Sequence, residues 1–100
     1  MSNYKTLNSK GKDIQTDISL HPGEVLQDEL EARAIPKNVF AGELGMKASH
    51  FSELLHGKRR VGAATALKLE DILGIPAEYW MRIQVYHDLF VERHKQEAAA

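Results

Sequence analysis

Apolar side chains recur every three or four positions through most of this chain, a period that gathers them on one side of an α-helix. In "HPGEVLQDELEARA", Val25, Leu26, Leu30 and Ala34 form such a stripe. Pro22 suits a first helical position and Glu24 sets a carboxylate near the helix N-terminus, which predicts a helix over residues 22–33. Pro36 opens a second helix through "PKNVFAGEL", with Val39, Phe40 and Leu44 apolar and Gly45 standing where a left-handed residue would end it. Gly42 is a poor helix former, so this short helix depends on packing. "KASHFSELLHG" predicts a third helix, with Phe51, Leu54 and Leu55 inward and Gly57 at its end. "AATALKLEDIL" predicts a fourth, with Ala66, Leu67, Leu69, Ile72 and Leu73 inward and Gly74 as its stop. Pro76 opens the fifth and longest, "AEYWMRIQVYHDLFVERHKQ". No segment makes a credible strand, so the pattern predicts an all-α domain with short connections.

A chain of 100 residues leaves room for one small core and not for a second domain. Residues 1–20 are polar and lack periodicity, which reads as a flexible arm. The helical domain is expected over residues 21–95, with 96–100 as a disordered tail. The chain has no cysteine, so disulfides and thiolate metal sites are excluded. No apolar run is long enough to span a membrane, and "MSNYKTLNSKGKD" lacks the apolar segment of a signal peptide; a cytoplasmic protein with no membrane partner is expected. None of the five histidines stands four residues from another, the spacing that puts two ligands on one helix face. No metal or other cofactor is expected. Acids such as Glu24, Asp28, Glu70 and Asp71 sit on amphipathic helices, where a solvated surface is the ordinary outcome, and no catalytic constellation accompanies them. The chain is not expected to be an enzyme.

The formal net charge of −1 argues against a nucleic-acid partner until it is resolved along the chain. Residues 37–62 hold five cations (Lys37, Lys47, Lys58, Arg59, Arg60) against two acids (Glu43, Glu53). The segments on either side are each net acidic, and they conceal a basic centre.

That centre contains the second and third predicted helices. A helix-turn-helix requires small residues where its helices meet and a sharp turn between them. Ala41 lets the second helix of the pair approach, Gly45 permits positive φ at the turn, Met46 fills the corner, and Phe51 and Leu54 dock the third helix on the second. The residues left facing outward, Lys47, Ser49, His50, Ser52, Glu53 and His56, are short or polar and suit a helix lying in a major groove. Two readings stay open from spacing alone: a helical hairpin with a solvated face, or a DNA reader. Lys58, Arg59 and Arg60 follow the third helix directly, which favours phosphate contact over a merely solvated loop. Tyr79, Trp80, Ile83, Val85, Tyr86, Leu89 and Phe90 occupy more than one face of the fifth helix. Trp80, Ile83 and His87 are expected to complete the core, and Tyr86, Leu89 and Phe90 to form the seam of a dimer.

The segments "HPGEVLQDEL", "AGELGMKASHFSELLHGKRRV", "TALKLEDILGIPAEYW" and "IQVYHDL", in this order and spacing, resemble the HigA/VapI-type antitoxins, a branch of the Xre-like helix-turn-helix family. The resemblance covers about residues 21–90. It implies a five-helix, lambda-repressor-like DNA-binding domain with its helix-turn-helix at helices 2 and 3. It also implies a homodimer, repression of its own operon through double-stranded operator DNA, and neutralisation of a HigB-type toxin similar to the RelE ribonucleases. The family often begins its second helix with a Ser or Thr cap and a phosphate-touching Gln; Pro36 and Lys37 stand there, and Lys37 meets a phosphate as a point charge. An Arg is frequent where this chain has Ser49, so base reading passes to Lys47, Ser49, His50 and Ser52, to water or to DNA shape. Glu53 would repel phosphate and is expected to pair with a cation inside the domain. The family tyrosine before "DL" is His87. Two alternatives remain: a solitary Xre-type transcription regulator, and a protein-binding module whose DNA binding is vestigial.

Overall fold

The computed structural model describes residues 20–99. The arm read over residues 1–20 lies outside the described residues apart from Leu20, and so does Ala100. Five helices follow one another: α1 Pro22–Ala32, α2 Lys37–Leu44, α3 Ala48–Leu55, α4 Ala63–Leu73 and α5 Ala77–Ala99; the described residues contain no strand. Residues 20–85 and residues 86–99 form two separate units.

The first unit has one core. Leu26 and Leu30 from α1, Phe40, Ala41 and Leu44 from α2, and Phe51, Leu54 and Leu55 from α3 are buried together with Val61, Ala66, Leu69, Leu73, Ala77 and Trp80. Withdrawing a large apolar side chain from water contributes about 2 kcal/mol, which is what holds eight-residue helices such as α2 and α3 that would not persist alone.

The start of α1 shows how closely the elements approach. Pro22 occupies the first helical position, and His21 caps the helix: its Nδ1 accepts the Gly23 N–H at 2.9 Å. Gly23 is buried, and a Cβ there would collide with the Leu54 carbonyl oxygen of α3, so α1 enters the fold directly over the end of that helix. At the other end, Ala34 takes φ 57°, and the Ile35 N–H returns to the Leu30 carbonyl at 2.9 Å. Ala34 is therefore exposed in a left-handed turn, not part of the inward stripe, because the helix has already ended at Ala32.

Two further side chains depart from the periodic pattern. Leu67 was expected inward on α4 but is 55% exposed: Ala66, Leu69 and Leu73 already line the buried side, and Leu67 lies a hundred degrees round from Ala66. Val39 is likewise exposed on α2. Pro36 is the residue before α2 and not its first turn, with ψ 141°. The break between α4 and α5 is closed by Glu70, whose Oε1 accepts the Ala77 N–H at 2.7 Å and so serves as a cap from one helix to the next. The last helix continues through residues 96–99, where the sequence predicts a tail; the run of Gln, Glu and Ala there consists of strong helix formers.

Candidate nucleic-acid interface

The site is built around the turn between α2 and α3. Gly45 ends α2 at φ 71°, its N–H donates to the Gly42 carbonyl at 3.1 Å, and the Met46 N–H reaches back to Ala41 at 3.0 Å. A side chain at this φ would be strained, which is why the turn falls on a glycine. Ala41 is buried at the contact between the helices, the Phe40 and Phe51 rings meet with centroids 5.9 Å apart, and Met46 is half-buried against the same core. Leu54 lies under α3, beneath the start of α1.

With Phe51, Leu54 and Leu55 turned inward, α3 exposes Ala48, Ser49, Ser52, Glu53 and His56, and Lys47 stands exposed immediately before its first residue. The His56 Nδ1–H donates to the Ser52 carbonyl at 2.7 Å, which ties that ring to the end of its own helix. Two clefts flank α3. One, of about 240 Å³ on the α2 side, is lined by Lys37 and Asn38 together with Ser52 and His56 over an apolar floor of Ala41, Phe51 and Leu55. The other, of about 310 Å³ on the α4 side, is lined by Lys47, His50, Thr65 and Lys68. The structure thus joins Lys37 with Ser52 and Lys47 with His50, on opposite flanks of one helix. His50 is half-buried in the second cleft, while Ser49 lines neither cleft and remains exposed between them.

The C-terminal end of α3 is closed by Gly57 at φ 77°, with the Lys58 N–H donating to the Glu53 carbonyl at 2.8 Å. Lys58, Arg59 and Arg60 are exposed in the loop that follows. The expected partner of Glu53 is Arg59: its Nη2 lies 3.0 Å and its Nε 3.3 Å from Glu53 Oε1. Both side chains are about half exposed, so the pair contributes at most about 1 kcal/mol; its larger effect is to neutralise the one acid on the outward face of α3.

Several residues of this region escape a reading of the sequence. Lys68 Nζ donates to the Leu44 carbonyl at 3.1 Å, across 24 residues, and Gln84 Oε1 accepts the Val61 N–H at 2.7 Å, across 23. Gly23, Asn38 and Thr65 join the site only through packing. A cationic or amide side chain on an amphipathic helix carries no local signal of what it reaches, whereas a glycine beside a capping position offers a weak one. Among the described residues, no group of three or more His, Asp or Glu side chains is placed to hold a metal ion, and no helix is long and apolar enough to cross a membrane.

Residues 86–99 have a different character. Tyr86 is 65% exposed, Leu89 and Val91 are also exposed, and Phe90 is half-buried with its ring 3.9 Å from that of His94.

Two short helices joined at a left-handed glycine, with a polar face exposed on the second and cations at its borders, define a helix-turn-helix protein. No protein-family model matches the chain. It is 32% identical over 80 residues to virulence-associated protein I of Dichelobacter nodosus, covering 78% of this chain and 74% of that one. It superposes with a TM-score of 0.73 on an addiction-module antidote protein of the HigA family from Coxiella burnetii, at 29% identity over 81% of this chain and 89% of the other. The antitoxin HigA of Pseudomonas aeruginosa, in a structure with the higBA promoter, superposes with a TM-score of 0.70 at 28% identity, over 79% of this chain and 90% of the other. The chain belongs to the HigA/VapI-type antitoxin family of Xre-like helix-turn-helix proteins.

Proposed function

We propose that this protein is the antitoxin of a HigB-HigA-type pair: a cytoplasmic, non-enzymatic homodimer that binds double-stranded operator DNA, represses its own operon and captures a RelE-like ribonuclease toxin. The observation that carries the DNA reading is the polar outer face of α3, bordered by Lys47 at its start, Lys37 beside it and Lys58, Arg59 and Arg60 at its end. Such a face fits a major groove, and cations at its borders fit the phosphates on either side. Lys37, Lys58 and Arg60 are assigned to phosphates; Lys47, Ser49, His50 and Ser52 to base edges or to water bound on them. Arg59 shares its charge with Glu53 and contributes less to phosphate than Lys58.

The exposed Tyr86 and Leu89, with Phe90, support pairing of two copies, because apolar side chains grouped in this way are usually covered by a partner. Two-fold pairing sets the recognition helices about 34 Å apart, one duplex turn, and predicts a palindromic operator. The toxin reading rests on family membership.

A mobility-shift titration against the region upstream of its own reading frame, at several salt concentrations, tests the DNA reading. Specific binding that weakens steeply with salt is expected; binding that is absent or insensitive to salt overturns it. Light scattering at micromolar concentration should show a dimer, and a monomer would remove the seam. Co-expression with an adjacent ribonuclease gene should yield a complex in which the ribonuclease is inactive. A chain that binds its operator but no toxin would be a solitary regulator.

A further inference from the structure

The α3 helix has no side-chain cap at its N-terminus, and it is only eight residues long. Core packing of Phe51, Leu54 and Leu55 seats it, and its aim depends also on what holds the backbone on either side of it. On the turn side, the carbonyl of Leu44, the last residue of α2, is one of those a helix end leaves without an intrahelical partner. Lys68, reaching from the middle of α4, donates to it at 3.1 Å, where an ammonium also meets the negative end of the helix dipole. On the loop side, the buried Val61 N–H donates to Gln84 Oε1 at 2.7 Å, and Gln84 is itself buried in α5 at 1% exposure. One of these bonds lies four residues before Ala48 and the other six after Leu55, so together they enclose α3 and the cations at residues 58–60.

We infer that Lys68 and Gln84 are positioning residues for operator recognition: side chains from α4 and α5 that fix the aim of α3 without touching DNA themselves. This rests on the DNA-binding reading given above. Lys68 shares the cleft on the α4 side with Lys47 and His50, so a direct phosphate contact by Lys68 is the rival. Its ammonium, however, is directed to the Leu44 carbonyl, and the α2–α3 turn is what it holds. Positioning and phosphate contact differ in a measurable way. A lost phosphate contact lowers the slope of log affinity against log salt by about 0.9 on any duplex, whereas a misaimed helix loses specific affinity and leaves that slope in place.

The test uses the full chain, a labelled duplex from upstream of its reading frame and a scrambled duplex of the same length. Lys68→Met keeps the aliphatic stem and removes the ammonium; it should weaken operator binding about three- to tenfold, the net range of one ordinary hydrogen bond, with the scrambled duplex and the salt slope nearly unchanged. Lys68→Arg should restore operator affinity. Gln84→Met should raise the hydrogen-exchange rate of the Val61 amide and reduce operator preference in the same sense, measured well below its melting temperature. A Lys68→Met protein that binds the operator as well as the parent, or that loses slope equally on both duplexes, overturns the positioning role alone. A parent protein that shifts no operator duplex overturns the DNA-binding reading, and this role with it.

Discussion

The outward face of α3 and the exposed face of residues 86–99 are both uncovered, yet they are chemically opposite. The first shows Ser49, Ser52, Glu53 and His56, whose polar groups are met by water, by Arg59 or by the carbonyl of Ser52; the second shows Tyr86 and Leu89, three residues apart on one side of the helix, whose apolar surface water does not satisfy. A solvated polar face carries no penalty in the free protein and can exchange water for base edges, whereas an apolar one gains free energy as soon as it is covered. The two surfaces therefore differ in what covering them would gain, and their contributions should be separable by mutation.

The largest effect is expected where α3 itself is seated. Gly23→Ala forces a methyl group onto the Leu54 carbonyl and should cost about 3 kcal/mol of folding stability in urea unfolding. A loss below about 1 kcal/mol would mean that α1 can lift away from α3 cheaply. On the second surface, Leu89→Asp should weaken self-association by about 2 kcal/mol, roughly thirtyfold in dissociation constant by sedimentation equilibrium, and leave unfolding of the 20–85 core unchanged. If that variant unfolded more easily and stayed dimeric, the two surfaces would not be independent.

Within α3 the comparison becomes finer. Lys58→Ala should reduce affinity on all sequences and lower the salt slope by about 0.9, while Arg59→Ala should do less, since Glu53 already shares its charge. Ser49→Ala and Ser52→Ala should instead change which bases are preferred, by about 1 kcal/mol in a binding-site selection experiment. Identical behaviour of both sets would contradict the division into phosphate and base contacts. The smallest effect belongs to a residue on neither surface: Ala34→Gly relieves a left-handed alanine at φ 57°, partly offset by the freedom of glycine in the unfolded chain, and should raise stability by about 0.5 kcal/mol in thermal melts.

Much of the helix-turn-helix was legible because its requirements are local. Gly45, Gly57 and Gly74 all take positive φ at helix ends, as their places after apolar stripes suggest, and Phe51, Leu54 and Leu55 are spaced to face one side. Glu53 could be matched to a nearby cation because like charge is excluded beside phosphate, although only the loop geometry shows that Arg59 is the one within reach. Periodicity locates a face only to within about one residue and so points Leu67 inward, whereas the packing of α4 leaves it outside. The same period points His50 outward, whereas it lies half-buried in the cleft toward α4.

The order of the helices, their stops and the basic centre between acidic flanks are thus properties of neighbouring residues, set by backbone conformational limits and by the period of apolar positions. The seat of α3 is not. It depends on Gly23 against Leu54, on Lys68 at Leu44 and on Gln84 at Val61. Each joins residues more than twenty positions apart, and the hydrogen bond or close approach exists only once the core has brought their backbones together.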